Sequence, residues 1–390
     1  MKILQVVPHF YPAWSFGGIS RVVYEISRQL VERGHDVTVH TTNALDPRTN
    51  FKAARREYQI EGMRVKYYRN LALVGGLNLS SDALGTETLR EVKDSDIVNM
   101  HAFRTFQNAI AHFYARRCRK PYVLTGHGTV PRVVERIVSK KLFDEAFGFR
   151  LLRHAARLVA STDIEMKQIV SMGVSNERVV VVPNGVDTKS FERLPKPGTF
   201  KHKFGLDDEL DLILYVGRVH KRKGIGFLLD AFAHLDKAKV ALVVAGGDDG
   251  YTSILRERAS SLKIADRVIF TGFISERVKM AAYIDSTVVV YPGIYESFGL
   301  VPLEAALCSK PVIVSDDSAM AEIVRQGGFG ESTKYGDSSQ LMKALQKTIS
   351  DPETAREMGK KGKQFVKRNF DWSSIVSKLE TLYSSSLDAR

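Results

Sequence analysis

The sequence predicts an α/β protein of two domains, each built on a doubly wound parallel sheet. Strand-like apolar segments alternate with helical patterns along the 390 residues. A stretch rich in Pro, Gly and charges, 190–211, interrupts the alternation, which then restarts. We therefore predict an N-terminal domain over 1–190, a C-terminal domain over 191–371, and a last helix, about 372–390, that packs back on the N-terminal domain. A cleft between the domains would face the carboxyl ends of the strands, where such sheets bind ligands.

The first half begins with a buried-type strand, KILQVVP (2–8), followed by a helical pattern that Gly17 and Gly18 open and Gly34 ends. HDVTVHTT follows as a strand. Further strands of this half are predicted at MRVKYYR, DIVNMH, PYVLTGHG, RLVAST and RVVVVPNGV. In the second half, strands are predicted at DLILYVGR, VALVVAGG, RVIFTGF, TVVVYPG and PVIVSD, with helices between them and three helical stretches in the tail.

The chain carries a net charge of +13 that is unevenly distributed. Residues 1–195 hold 29 Lys and Arg against 19 Asp and Glu, a net charge of +10, whereas residues 196–390 hold 28 against 25, a net charge of +3. This asymmetry indicates a partner with negative charge, for which nucleic acid, anionic lipid and phosphorylated substrates all qualify.

The two cysteines, Cys118 and Cys308, both fall in predicted helices. Their placement argues against a disulfide framework or a zinc site and fits a reducing compartment. The opening MKILQVVPHF turns polar too early for a signal peptide, and no apolar run approaches the roughly 20 residues of a membrane-spanning helix. We expect a soluble, cytoplasmic protein.

The string YESFGLVPLEAALCSKPVIVSD (295–316) holds two glutamates, Glu296 and Glu304, about two helical turns apart. Glu296 is predicted in the loop after a buried strand and Glu304 in the next helix, so both carboxylates could face one ligand. Carboxylates accept several hydroxyl hydrogen bonds, which suits sugar recognition, and the N–H groups of 297–300 could hold a diphosphate at the helix start. Two glutamates alone would favour an ordinary surface helix, whereas the full string favours a ligand site.

Arg218 and Lys223 lie in a Gly-rich loop between a predicted strand and a predicted helix. Two fixed cations beside a helix N-terminus suit a leaving diphosphate and could replace a divalent metal. Lys221 and Arg222 lie alongside, so this loop alone would fit a solvated basic turn. Together with the glutamate string downstream, the loop favours diphosphate binding.

Three further positions are weaker candidates. Gly17 and Gly18 form a turn that lets the backbone approach a phosphate, although glycines at a helix start are often only turn residues. His127 ends a buried strand, where a neutral imidazole could bind a sugar hydroxyl, and a purely structural histidine fits this place equally well. His101 stands in a similar place after DIVNM and ranks lower, as an acceptor-side residue.

Two acidic pairs do not form a metal site in this interpretation. Asp94 and Asp96 precede their strand, which puts them at the wrong end of the sheet for a metal-bound nucleotide, and turn capping explains them better. Asp248 and Asp249 lack the D-x-D spacing. We expect no essential metal and no cofactor.

The glutamate string resembles the E-x7-E signature of a large retaining glycosyltransferase family of the family 4 type. This family includes phosphatidylinositol mannosyltransferases, sucrose synthases and many lipopolysaccharide and capsule enzymes. The resemblance extends over VGRVHKRKGIGFLLDAF (216–232), VVAGG (243–247), RVIFTGF (267–273) and VPNGVD (182–187). It implies the GT-B architecture, in which two Rossmann-like domains face a central cleft. It also implies metal-independent transfer of a sugar from a UDP- or GDP-sugar to a hydroxyl of a glycan, glycolipid or lipid-linked acceptor.

The resemblance also assigns roles to single residues. Glu296 would contact the hydroxyls of the donor sugar, Glu304 the ribose, and His127 the C6 region of the sugar. Arg218 and Lys223 match the family's Arg and Lys, which implies that they stabilise the departing diphosphate. The other implied donor-binding positions, several of which act through the backbone, are Gly17, Gly18, Gly246, Gly272, Phe273, Phe298, Gly299 and Leu300.

The stretch PRVVERIVSKKLFDEAFGFRLLRHAARL mixes basic and large apolar residues at helical spacing. Such a helix can lie on an anionic membrane surface, which would place the enzyme peripherally on the inner face of the cell membrane. It can equally pack on its own sheet as a solvated amphipathic helix. The basic residues of this region are Arg116, Arg117, Arg119, Lys120, Arg132, Arg136, Lys140, Lys141, Arg150 and Arg153.

Other functions fit the residues less well. A nucleotide-sugar epimerase or a phosphorylase would share the fold, but neither explains the two glutamates together with the loop of Arg218 and Lys223. A nucleic-acid-binding protein is disfavoured because the basic residues are not interleaved with exposed aromatic ones and no binding motif is recognised. A noncatalytic sugar-binding relative stays open, although the matching site residues are all present.

Overall fold

The chain folds into two compact units. The computed structural model describes residues 1–46, 49–52, 56–70, 86–131, 137–235, 239–294, 296 and 298–388. Unit 1 comprises Met1–Gly185 and Trp372–Arg390, and unit 2 comprises Val186–Asp371. The division lies ahead of residue 190 because Val186 already donates its N–H to Phe370 O, at 2.8 Å, within unit 2. None of the helices in the described ranges has both the length and the hydropathy of a bilayer-spanning segment.

Unit 1 is built on a sheet of eight strands. They are β1 (Lys2–Val6), β2 (Asp36–Thr42), β3 (Glu57–Ile60), β4 (Met63–Tyr68), β5 (Ile97–His101), β6 (Tyr122–Thr125), β7 (Arg157–Ala160) and β8 (Val179–Val181). Their order is β3-β4-β2-β1-β5-β6-β7-β8. All neighbours run parallel except β3 and β4. The central strands, such as IVNMH in β5, are buried throughout, as parallel strands covered on both faces are.

Strand β3 is the element of this sheet that the sequence pattern did not predict. It forms an antiparallel hairpin with β4 through Glu61 and Gly62, which both have positive φ angles, of 47° and 79°. Its residues EYQI alternate between exposed and half-buried because it is the edge strand. A polar edge strand lacks the apolar run by which the buried strands were recognised.

The helices before the chain enters unit 2 cover both faces of this sheet. They are α1 (Gly18–Glu32), α2 (Thr86–Asp94), α3 (Phe106–Arg117), α4 (Ile137–Phe143), α5 (Phe149–His154) and α6 (Asp163–Val170). A single π-helical segment, Asp144–Gly148, joins α4 to α5. Helix α1 buries Val23, Ile26 and Leu30, at the helical spacing that the sequence pattern indicated.

Unit 2 contains a second, wholly parallel sheet. Its strands are β9 (Asp211–Val216), β10 (Val240–Ala245), β11 (Val268–Gly272), β12 (Val288–Tyr291), β13 (Val312–Ser315) and β14 (Gly330–Thr333). Their order is β11-β10-β9-β12-β13-β14. Strand β14, with the sequence GEST, was not predicted because it is a short, polar edge strand. Since β9 and β12 are neighbours, the loops that follow them emerge side by side at one edge of the sheet.

Eight helices of the described chain surround the second sheet. They are α7 (Thr199–Lys203), α8 (Ile225–Ala233), α9 (Thr252–Ser261), α10 (Glu276–Asp285), α11 (Leu300–Leu307), α12 (Met320–Gly327), α13 (Ser338–Ser350) and α14 (Pro352–Asn369). The stretch 190–211, predicted as the interdomain connection, belongs to unit 2 instead. Asp285 holds it there by accepting the N–H groups of Gly198 at 2.6 Å and Phe200 at 2.7 Å.

The last helix, α15 (Trp372–Asp388), belongs to unit 1. It packs against α1, and Arg33 Nη1 lies 2.6 Å from Glu380 Oε2. Trp372 covers Gly185 so closely that a Cβ atom there would lie 2.4 Å from Trp372 Cδ2. A glycine is therefore needed at position 185. Gly185 is the residue after which the chain leaves unit 1, and Trp372 is the first residue after the chain comes back to that unit.

Candidate active site

A buried ion pair joins the loops that follow β9 and β12. Lys223 Nζ lies 2.5 Å from Glu296 Oε1, and Tyr291 Oη donates to Glu296 Oε2 at 2.7 Å. Only 19% of the Lys223 side chain and 15% of the Glu296 side chain are exposed. Such a pair needs good geometry and further hydrogen bonds to offset the loss of hydration, and Tyr291 supplies one of them. The structure thus brings together two side chains that the sequence predicted for one ligand.

Backbone contacts explain why these loops meet. Gly224 has a φ angle of 72°, and a Cβ atom at that position would lie 2.2 Å from Pro292 O. Ile294 donates its N–H to Arg222 O at 3.1 Å. A glycine in the left-handed conformation is therefore what lets the Lys223 loop reach the loop that carries Glu296.

Arg218 lies on the same side of the sheet but is held differently. Its guanidinium pairs with Asp249 Oδ2 at 3.1 Å, and 66% of its side chain is exposed. Burial and the neighbouring Glu296 carboxylate raise the pKa of Tyr291 well above its ordinary range, while Arg218 opposes that rise. Arg218 is thus close enough to act on this site electrostatically. An exposed pair of this kind contributes little to stability, so its guanidinium can change partners at low cost.

Glu304 sits in α11 and has partners of its own. Lys279 Nζ lies 2.9 Å from Glu304 Oε2, and Tyr283 Oη donates to the same oxygen at 2.8 Å. Burial alone would lower the pKa of Lys279, but the nearby carboxylates of Glu304 and Glu276 have the larger effect. The pKa of Lys279 is therefore raised above its ordinary value. Lys279 and Tyr283 were not singled out from the sequence. Their one signal is the spacing of four residues that places both on one face of α10.

The start of α11 presents backbone rather than side chains. Gly299 caps the helix in an extended conformation, with a φ angle of −125°, and Leu300 is its first residue. A Cβ atom at Gly299 would lie 2.9 Å from Tyr291 Cε1 and 3.1 Å from Met320 Cγ. The Phe298 ring packs towards the Phe370 ring, 6.3 Å away between centroids. The first N–H groups of a helix lack intrahelical acceptors and suit an anion.

Three glycines lie where β9, β10 and β11 end. A Cβ atom at Gly246 would lie 1.8 Å from Gly217 O, so no other residue fits there without moving the backbone. Gly246 donates its N–H to Gly272 O at 2.9 Å. Gly272 has a φ angle of 67°, and the next residue, Phe273, is 83% exposed. Of the predicted donor-binding positions at this edge, Gly246 is closely packed against the main chain of Gly217 and Gly272, whereas Phe273 is exposed.

In unit 1, Gly17 and Gly18 mark the start of α1 as predicted from the pattern. Gly17 is the N-cap, with a φ angle of 93°, and Gly18 is the first helical residue. Apart from the adjacent residues and the backbone of α1 itself, no described atom lies within 4 Å of a Cβ atom built at either glycine. Packing therefore does not require a glycine at Gly17 or Gly18, although the φ angle of Gly17 favours one.

His127 lies just after β6 and contacts His101 at the end of β5. His101 Nδ1 is 2.9 Å from His127 Nε2, and His101 Nε2 is 2.7 Å from Gln5 Oε1. Burial lowers the pKa of His127 to about 4, and burial together with His127 holds the pKa of His101 well below its ordinary value. Both imidazoles are therefore neutral at pH 7.

His101 has no exposed surface. Its side chain supports His127 from inside the sheet, which differs from the acceptor-side position expected from the sequence. Asn99 extends the buried polar chain: its Nδ2 lies 3.1 Å from His101 Nε2 and donates to Tyr383 Oη at 2.7 Å. Through Tyr383, the returning helix α15 reaches the residues beneath His127.

The acidic pairs play structural roles. Asp96 Oδ2 accepts the N–H of Lys2 at 2.7 Å, and Asp94 ends α2. Asp248 Oδ1 accepts the N–H groups of Tyr251 and Thr252 at the start of α9. Across the described ranges, no group of three or more His, Cys, Asp or Glu side chains is arranged to hold a metal ion.

Comparisons with known proteins agree with this architecture. The sequence model of the glycosyl transferases group 1 family matches residues 198–365, and that of glycosyltransferase family 4 matches residues 16–190. A D-inositol 3-phosphate glycosyltransferase from Kineococcus radiotolerans is 26% identical, with 96% of this chain and 92% of that protein covered.

Two solved structures are similar over the whole chain. Sucrose-phosphate synthase from Thermosynechococcus elongatus has a TM-score of 0.77 at 23% identity, and 100% of both chains is covered. Anabaena HepE, solved in complex with UDP, has a TM-score of 0.80 at 19% identity, with 99% of this chain and 100% of that chain covered. The two parallel-sheet units are those of the GT-B fold. Since the two family models together match most of both halves, this chain belongs to the GT-B glycosyltransferases of the family 4 type.

Proposed function

We propose that this glycosyltransferase moves a hexosyl group from a nucleoside diphosphate sugar to an acceptor hydroxyl, with retention of configuration and without a metal ion. The observation that carries the proposal is the Lys223–Glu296 pair beside the start of α11. Cation, carboxylate and free helical N–H groups are the three chemistries that a sugar diphosphate requires at its reacting bond.

Lys223, Arg218 and the first N–H groups of α11 would receive the charge that develops on the leaving diphosphate. The guanidinium can bind two phosphate oxygens at once, whereas the ammonium acts as a point charge. Fixed donors of this kind stabilise a transition state without reorganising. They supply the role that a divalent cation has in metal-dependent transferases, which supports metal independence.

Glu296 would position the sugar rather than attack it. Lys223 and Tyr291 already occupy one oxygen each, and this carboxylate can accept sugar hydroxyls through its remaining lone pairs. Retention then follows if the acceptor hydroxyl attacks from the face that the diphosphate leaves. Glu304, steadied by Lys279 and Tyr283, would bind the ribose hydroxyls in the same manner. His127 would contact the donor sugar, as the family resemblance implies.

A UDP-sugar is the first donor to test because HepE binds UDP, with GDP-sugars next. The acceptor is proposed to be a hydroxyl of a glycan, glycolipid or lipid-linked sugar. The name of the Kineococcus relative adds a phosphorylated polyol to this set, which suits the +10 charge of residues 1–195. Nucleotide release from UDP-, GDP- and ADP-sugars in EDTA tests the donor and the metal independence. Proton NMR of the product tests retention, and an inverted anomer would contradict it.

We also propose peripheral binding to an anionic membrane, with the enzyme in the cytoplasm. Helix α4 exposes 50% of Ile137, 81% of Val138 and 73% of Leu142. Lys140 and Lys141 lie between these side chains along the sequence, so the helix combines apolar and cationic groups as interfacial helices do. Arg132 and Arg136, also predicted for this surface, lie outside the described residues.

Liposome flotation tests this proposal. The chain should bind vesicles that contain anionic lipid in low salt and leave them in high salt, because surface charge is screened by salt. The Val138→Ser/Leu142→Ser variant should bind less while keeping its activity on a soluble acceptor. Equal binding to neutral vesicles, or no binding at all, would contradict the proposal.

A further inference from the structure

A buried carboxylate lies beneath the loop that carries His127. Glu165 is 1% exposed and sits in the first turn of α6, where Thr162 caps the helix. Its Oε1 accepts the N–H of Gly128 at 2.5 Å. Its Oε2 accepts both the N–H and the hydroxyl of Ser161, at 2.7 and 2.6 Å. A carboxylate at this depth is costly unless its oxygens are hydrogen-bonded, and here both are.

The loop above it adopts a conformation that side chains rarely take. His127 has a φ angle of 51° and Gly128 one of 74°. A residue other than glycine is strained in the left-handed region, so the surroundings of His127, and not its own backbone preference, hold it in this conformation. The Glu165 bond to the Gly128 N–H acts on the residue that directly follows His127.

The packing beneath this loop leaves no room for a side chain at Gly126. A Cβ atom at Gly126 would lie 2.6 Å from Glu165 Oε1 and 3.1 Å from Val130 Cγ2. Thr129 Oγ1 donates to Gly126 O at 2.7 Å, which closes the turn on the other side. The carboxylate therefore fills the space beneath residues 126–128 as well as bonding to them.

We infer that Glu165 is a positioning residue, which fixes the left-handed His127–Gly128 backbone and thereby the position of the His127 imidazole. The inference rests on the proposed role of His127 in sugar binding. It gives a role to Glu165, a carboxylate outside the string that carries Glu296 and one that the sequence analysis did not identify as a candidate. Ser161 bonds to Oε2 of the same carboxylate, whereas the His127 loop bonds to Oε1. Substitutions at Ser161 and Glu165 can therefore distinguish an effect on stability from an effect on the position of His127.

Steady-state kinetics of four variants test this inference. Glu165→Met keeps the side-chain length but loses both acceptors, and it should lower kcat/KM for the donor about tenfold or more, since small misplacements of reacting groups cost that much. The dissociation constant for UDP should stay within about twofold of wild type, because His127 contacts the sugar and not the nucleotide. Ser161→Ala removes one buried hydrogen bond to the same carboxylate, so it should lower the stability of the fold but leave kcat/KM unchanged.

His127→Ala and the His127→Ala/Glu165→Met double variant complete the set. If Glu165 acts through His127, the double variant should be no slower than His127→Ala alone, because the two effects then overlap. Additive losses would overturn the inference, as would equal losses in Glu165→Met and Ser161→Ala. A His127→Ala variant with wild-type kcat/KM would instead overturn the proposed role of His127. If Glu165→Met does not fold, Glu165→Gln replaces it. Its amide has one acceptor oxygen for the donors of Gly128 and Ser161, so kcat/KM should still fall, and the double variant with His127→Ala should be no slower than His127→Ala alone.

Discussion

Lys223 Nζ and Glu296 Oε1 lie 2.5 Å apart, although 73 residues separate them in the sequence. Each side chain alone would be an ordinary surface group in a basic turn or an acidic loop. Their contact follows from the strand order, because β9 and β12 are neighbours and their carboxyl-end loops must meet. The Glu296 carboxylate holds the Lys223 ammonium in place. A diphosphate that binds beside Lys223 therefore meets a cation that does not have to move.

Replacing Lys223 by Met should weaken binding of UDP about 10- to 100-fold, because a hydrogen bond to a charged group contributes roughly 1.5–3 kcal/mol. Isothermal titration calorimetry measures this change directly. The control is Lys221→Met, which removes an exposed cation from the same turn and should alter the dissociation constant by less than about twofold. Equal losses in the two variants would show that only the overall charge of the loop matters.

Substitution of Glu296 and of Glu304 should change different constants, the first kcat/KM and the second the affinity for UDP. Glu296→Gln should lower kcat/KM for the donor while UDP binds at least as well as before, because the lost interactions are with the sugar. Glu304→Gln should weaken the binding of UDP itself, since its partner would be the ribose. Titration with UDP, together with donor kinetics for both variants, distinguishes these patterns. Similar losses of UDP affinity in both variants would contradict the separate roles.

Gly246 should tolerate no larger side chain. Gly246→Ala would force a Cβ atom to 1.8 Å from Gly217 O, and we expect a loss of more than about 2 kcal/mol in the free energy of unfolding. Gly247→Ala is the matched control because nothing lies within 4 Å of a Cβ atom there. Chemical denaturation of the two variants measures the difference. A Gly247→Ala variant that loses as much stability as Gly246→Ala would refute the steric explanation.

Acid should destabilise the fold through its buried histidines. Burial lowers the pKa of His40 from 6.5 to about 3, and that of His112 and His127 from 6.5 to about 4. The unfolded chain therefore binds more protons than the folded one below pH 6.5, and stability falls as the pH falls from 6.5 towards 4. Each such histidine contributes a slope of up to about 1.4 kcal/mol per pH unit.

Denaturation at pH 7.5, 6.5 and 5.5 measures this slope. The His40→Asn variant should show a flatter dependence, because one of the groups that take up a proton on unfolding is gone. The His202→Gln variant, which removes an imidazole that is 70% exposed, is the surface control with which His40→Asn is compared. Identical slopes in wild type and His40→Asn would contradict the assignment.

Much of the fold could be predicted from the sequence because buried parallel strands are apolar runs of recognisable length. The polar edge strands β3 and β14 carry no such run and were missed. Composition predicts a boundary after residue 190, whereas the two units divide at Gly185, and Val186 already bonds to Phe370 within unit 2. A contact between residues so distant in sequence leaves no local pattern.

The candidate site was predictable only in part, for a similar reason. Glu296, Lys223 and the start of α11 stand in continuous strings of sequence, and the whole string predicts the chemistry where the single residues do not. Glu165, Lys279 and Tyr283 act on residues from neighbouring elements. Apart from the spacing of four residues between Lys279 and Tyr283, their own sequence surroundings carry no signal of this role. The burial of His101 also depends on Gln5 and Asn99 from the sheet interior, so its place could not be inferred from a strand end alone.

The central claim is that side chains and helical N–H groups hold the diphosphate without a metal ion. Its most direct test is calorimetric titration of UDP and GDP into the wild-type chain and the Arg218→Ala/Lys223→Met variant, in EDTA and in magnesium. We predict that the nucleotide that binds does so with the same dissociation constant in both buffers, and that the double variant loses at least about 100-fold in affinity. Binding that appears only with magnesium, or that survives the double substitution, would contradict the account.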